Sequence, residues 1–152
     1  MKSRCLVSLA CLLLASPALA GGLEQPAEPF EPIDAQALID ACWEMTYEQR
    51  LASNADAREG IFLSALCLEE RILDQLDALF DPETLSRQEA AAQLKSIRDS
   101  YAALTWKLYN EHEGCPFGHC GTIFYTAHVS AVARFMEDLL RKAVDQRNRY
   151  EL

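Results

Sequence analysis

The stretch Ser86–Leu108, SRQEAAAQLKSIRDSYAALTWKL, decides the fold. Ser86 and Glu89 stand in the Ser-x-x-Glu order of a capping box. In that motif the hydroxyl and the carboxylate each satisfy a backbone amide left without a partner at a helix start. Leu94, Ile97, Tyr101, Leu104 and Leu108 then recur three and four residues apart, which is the period of one helix face. The spacing predicts a helix that begins at Ser86 and closes near Gly114, a residue suited to a left-handed C-terminal cap.

Towards the C-terminus lies the turn HEGCPFGHCG, residues 112–121. Thr122 is then placed to cap a last helix whose stripe is Phe124, His128, Ala131, Phe135 and Leu139, and the charged end from Arg141 to Leu152 is expected to fray. Towards the N-terminus, Asp81-Pro82 stops a preceding helix, because a residue before proline is pushed away from helical angles. That helix carries Ile61, Ala65, Leu68, Ile72, Leu76 and Leu79 on one face. Ser53-Asn54-Ala55-Asp56 supplies cap-type residues between it and a first helix over 34–51, with Leu38, Cys42 and Met45 on its stripe. Four amphipathic segments with short connections imply an all-α protein. The expected form is an antiparallel bundle of about four helices with a long C-terminal helical hairpin. Strand alternation, internal repeats and interdomain linkers are absent from the pattern, so residues 33–152 read as one helical domain.

The first 20 residues read as a secretory signal peptide. Lys2 and Arg4 precede an apolar run from Cys5 to Ala15, Pro17 breaks it, and Ala18-Leu19-Ala20 has the small-x-small order of a cleavage site. The run is shorter than the roughly 20 residues that cross a bilayer, so no membrane anchor is expected. Cys11 sits inside the run with too little sequence before it for a lipoprotein site. Residues 21–32 hold three prolines and three glutamates and read as an extended lead-in.

Residues 1–20 carry two of the 14 basic residues and none of the 23 acidic ones, so the chain from Gly21 has a net charge of −11. Such a surface repels nucleic acid and anionic lipid and favours a cationic partner, although acidic charge also serves solubility alone. A chain of this size hides about two-thirds of its unfolded surface, enough for a core of its own. Export also decides the reading of Cys42, Cys67, Cys115 and Cys120. An even number of cysteines in an oxidising compartment is a disulfide framework by default. Closing the Cys115–Cys120 loop contributes about 2 kcal/mol, and a Cys42–Cys67 bond about 3.5 kcal/mol for its longer loop.

Two other chemistries compete for the same turn. His112, Cys115, His119 and Cys120, with His128 as a substitute, have the ligand types of a zinc site, but adjacent His119 and Cys120 rarely aim at one ion. A redox pair normally has two residues between its cysteines, and this one has four. His128 lies on an apolar face, where a hydrogen-bonded core histidine is the ordinary reading. Trp106 and Tyr109 lie beside the apolar stripe and either pack on a neighbouring helix or anchor an interface. The chain has no Gly-x-Ser-x-Gly elbow, phosphate loop or His-Glu-x-x-His motif. Glu69-Glu70 and Glu137-Asp138 read as solvated helix faces, so no catalytic residue and no cofactor is assigned.

Several positions resemble the small exported helical proteins related to the lysozyme inhibitor LprI. Cys42 and Cys67 resemble the first cysteine pair of that family. Leu73-Asp74-Gln75-Leu76-Asp77-Ala78-Leu79-Phe80 resembles the segment after its second cysteine, and Trp106, Asn110-Glu111, Cys115 and Gly121-Thr122 follow in the family's order. The resemblance covers roughly residues 40–150. The chain departs from it in carrying Asn110 where the family often has arginine, and in a wider first cysteine spacing. It implies an envelope protein that binds another protein, a cationic lysozyme in characterised cases. The expected contact surface is the hairpin tip, Glu111, Glu113, Phe117 and His119, because loop tips on a rigid scaffold concentrate binding residues. A metal-binding or redox protein using the Cys115–Cys120 turn, and a structural envelope component, are the alternatives.

Overall fold

A computed structural model describes residues 30–110 and 121–151. They form five helices and no strand: α1 (Ala35–Glu44), α2 (Tyr47–Ala52), α3 (Asn54–Leu79), α4 (Arg87–Asn110) and α5 (Gly121–Glu151). The expected signal peptide, the expected lead-in as far as residue 29 and the whole of 111–120 lie outside the described residues.

Local signals placed the helix ends. Asp34 accepts a hydrogen bond from the Gln36 amide and starts α1. Ser53, in extended backbone, accepts from the Asp56 amide and starts α3. The capping box forms in full: the Glu89 amide donates to Ser86 Oγ at 3.3 Å, and the Ser86 amide donates to Glu89 Oε2 at 3.2 Å. Past the end of α3, the Asp81 carboxylate accepts from the Glu83 amide and steers the turn into α4.

The expected single first helix is instead two. It breaks at Met45-Thr46 because Thr46 turns inward, its hydroxyl 2.7 Å from Ser64 Oγ, and is itself buried. The break lets α2 fold back across α3 at Gly60, where a Cβ would stand 2.6 Å from Arg50 Cγ. The Arg50 guanidinium then lies over the Trp43 ring and donates to the Trp43 carbonyl at 2.8 Å. Met45, expected on the inner stripe, is exposed, and Ile39 is buried in its stead.

Side-chain pairs define the directions of the helices. Ile33, Gln36 and Trp43 meet Asn148, Arg141 and Glu137 in turn, so α1 runs antiparallel to α5. Cys42 is disulfide-bonded to Cys67 with Cα atoms 5.6 Å apart, inside the range such a bond requires, and ties α1 to α3. Arg58 meets Tyr125 and Gln75 meets Arg147, so α3 and α5 run parallel. Tyr101 stacks on Phe135 and Thr105 meets His128, so α4 and α5 form the antiparallel hairpin. The largest helix–helix interface joins α3 to α5, whereas α3 and α4 touch far less.

That imbalance rotates both hairpin helices relative to the sequence expectation. The buried α5 residues include Val129, Val132, Met136 and Leu140, each one position beyond the expected His128, Ala131, Phe135 and Leu139, and also Ala133. On α4 the buried positions after Leu94 are Arg98 and Thr105, again one beyond Ile97 and Leu104. One residue is about 100° of helix rotation. Of the expected stripes, Tyr101 and Phe135 meet at the half-buried α4–α5 seam, Leu104, Leu108 and Phe124 are exposed, and the α5 core face turns towards α3 and α1. Thr122 lies inside α5, which starts at Gly121. The C-terminal segment is also firmer than expected: Ala143 and Val144 are buried, and Asn148 clasps both the N–H and C=O of Ile33 at 3.0 Å.

Candidate functional site

Along α4 the polar and apolar faces exchange places. Ala90 and Leu94 point into the core, as a bundle requires. Further along the same face come Arg98, 8% exposed, and Thr105, 4% exposed. The apolar residues of this end stand outside, Leu104 at 55%, Leu108 at 62% and Trp106 at 42% exposure. A helix built only for packing would carry the opposite pattern.

Each inward polar group has a partner. Arg98 forms an ion pair with Glu69 of α3 in which both side chains are nearly buried, and its Nη2 lies 3.2 Å from Asp99. Removal from water pushes the Glu69 carboxyl above its ordinary value, an effect that the opposing charge of Arg98 only partly offsets. Thr105 Oγ1 lies 2.9 Å from His128 Nδ1, and desolvation pushes the imidazole below its ordinary 6.5. His128 is thus the hydrogen-bonded, half-buried histidine that its apolar surroundings favour. Trp106 meets Tyr125 and His128 edge to face, with ring centres 5.7 and 5.4 Å away, so it packs on α5 and also presents a face to solvent.

Where α3 and α4 part, Arg98, His128 and Tyr125 line a groove of about 540 Å³. Phe62, Ala102, Val129 and Val132 form its apolar surface, and Arg58, Glu59, Asp99 and His128 add polar groups. The Arg58 guanidinium lies 5.1 Å from the centre of the Tyr125 ring.

Of the residues expected from the sequence to act, Cys42 and Cys67 are joined as a disulfide. Cys115, Cys120, Glu111, Glu113, Phe117 and His119 lie outside the described residues. The segments bracketing them bring Leu104, Trp106 and Leu108 of α4 and Phe124 and Tyr125 of α5 to the same end of the hairpin, all exposed. Glu137 is not a purely solvated carboxylate, because it accepts a 2.6 Å hydrogen bond from the Trp43 indole. Glu69 is likewise drawn inward by Arg98. Sequence reading missed Arg58, Arg98 and Thr105. The signal available for the last two was their spacing of four and eleven from Leu94, but polar residues at such positions ordinarily mark a solvated face. Among the described residues, no cluster of three or more His, Cys, Asp or Glu could hold a metal ion, and no helix is long and apolar enough to cross a membrane. No family model, curated protein or solved structure matches this chain.

Proposed function

We propose that this chain is an exported, periplasmic protein-binding domain that occupies a cationic partner, as the lysozyme inhibitors it resembles do, and that it works by contact rather than by catalysis. The observation that supports this reading is the exchange of faces on α4. Leu104, Trp106 and Leu108 stand in solvent on the last turns before the expected tip, beside Phe124 and Tyr125. Trp106 and Tyr125 are of the residue types that binding hot spots favour, and Leu104, Leu108 and Phe124 add exposed apolar surface beside them. The surrounding charge, −11 once residues 1–20 are removed, speeds encounter with a basic protein. Glu111, Glu113, Phe117 and His119 complete the contact surface in this reading.

The test is direct binding of the purified protein to an animal-type lysozyme, by calorimetry and by inhibition of cell-wall lysis. Leu104→Ser with Leu108→Ser should weaken the complex by about tenfold or more at unchanged helix content. Glu111→Lys with Glu113→Lys should slow association and flatten its dependence on salt. A wild-type protein that neither binds nor inhibits the lysozyme would sink the lysozyme assignment. Capture from periplasmic extract would then identify the basic partner.

A further inference from the structure

We infer that the groove between α3, α4 and α5 is a binding site for a small amphipathic monoanion, a carboxylate carried on an aromatic or branched aliphatic body, with Arg58 as its anchor. The inference is independent of the protein partner proposed above. A volume of about 540 Å³ falls within the range of small-molecule sites, which in helical bundles form between helices. Phe62, Val129 and Val132 offer the apolar contact surface that such a body needs.

The charges around the groove select the head group. Arg98 is already engaged by Glu69 and Asp99, and Asp99 is further held by Lys95. His128 is bound to Thr105, and burial keeps its ring neutral near pH 7. Arg58 is the remaining guanidinium on the groove. It lies over Tyr125 and has no carboxylate partner among the described residues. The guanidinium is planar by its own delocalisation, and its fork of N–H groups, held over the Tyr125 ring, can grip a carboxylate with two parallel hydrogen bonds. Glu59 lines the groove next to Arg58 and is exposed. Its charge opposes a second negative charge on the ligand, which favours a monocarboxylate over phosphate-type dianions.

Three probes with one body and different heads test this: 4-phenylbutyrate, 4-phenylbutyramide and 4-phenylbutylamine. Each would be titrated into isotope-labelled, purified protein near pH 7 and followed by amide chemical shifts. A compound of this size binds in about the millimolar range. The carboxylate should shift the amides of Phe62, Ala102, Val129 and Val132, and the uncharged amide should bind about tenfold more weakly. Arg58→Gln should bring the carboxylate down to the affinity of the amide, while Arg58→Lys should retain part of the difference. Spectra that superimpose away from the groove establish that each variant is folded. The inference is overturned if the amine binds as well as the carboxylate, if Arg58→Gln leaves carboxylate affinity unchanged, or if no probe shifts the groove amides.

Discussion

Thr105 Oγ1 and His128 Nδ1 lie 2.9 Å apart across the α4–α5 seam, a polar contact at positions where the hairpin would otherwise pack carbon on carbon. The same hydroxyl is within reach of the Tyr101 and Ala102 carbonyls, so Thr105 is held by its own helix as well as by α5.

Stability should therefore depend on pH through His128. Desolvation places its folded pKa below the ordinary 6.5. The unfolded chain then takes up a proton first, and the stabilisation present above that value is lost as pH falls towards the folded pKa. Urea midpoints should drop between about pH 7.5 and pH 5.5, and His128→Gln should show a smaller drop over that window. Thr105→Val should cost about 1–2 kcal/mol by leaving the imidazole nitrogen unsatisfied. An unaltered pH profile in His128→Gln would assign the dependence to other groups.

The Arg98–Glu69 pair should behave as a buried ion pair. Arg98→Met alone strands a carboxylate that burial already disfavours, at a cost of about 3 kcal/mol. The double change Arg98→Met with Glu69→Leu should come within about 1 kcal/mol of the wild type, since an apolar pair of similar volume replaces the desolvated charges. Equal losses in the single and double variants would mean that the pair sits in water. Denaturant titration of the three variants supplies the comparison.

Gly60 and Arg50 should show a reversal of sign. Alanine at 60 gains about 1 kcal/mol of helix propensity, but its Cβ meets Arg50 Cγ at 2.6 Å, and forcing that contact costs about 1–3 kcal/mol. Gly60→Ala should be destabilising by about 1 kcal/mol in the wild type and stabilising by about as much in an Arg50→Ala background. A double-mutant cycle on melting temperature checks both values.

Opening the Cys42–Cys67 bond, which spans a sequence separation of 25, should cost about 3.5 kcal/mol. Cys42→Ala with Cys67→Ala should lose that amount in denaturant titration and keep its helical signal. Thiol counting on the denatured, unreduced protein separates the two uses of the remaining cysteines. No free thiol is expected if Cys115 and Cys120 are bonded, and two with stoichiometric zinc if they bind metal.

The Asn148 clasp predicts that the C-terminus holds the N-terminal edge of the domain. Asn148→Ala removes both hydrogen bonds to Ile33 and should cost about 1–2 kcal/mol. Amide exchange should quicken at the Ile33 end of α1 as well as in α5. Faster exchange confined to residues after 145 would show that the clasp bears no load.

The sequence by itself determined the all-helical class, the starts of α1, α3 and α4, and the stop before Pro82. These depend on side chains bonding to amides two or three residues away, and no other part of the chain is needed to form them. The stripe from Ile61 to Leu76 was equally legible, because α3 lies between its neighbours and buries a broad face whatever their exact placement. Only the tertiary structure decided the rotation of α4 and α5. Their apolar residues admit two inward faces one position apart, and the choice followed from α5 covering α3 more than α4. That choice also created the candidate groove. It turned Arg98 and Thr105 inward and Leu104 and Leu108 outward, because a helix offered too little apolar surface on one side fills its inner face with whatever polar groups can find partners there.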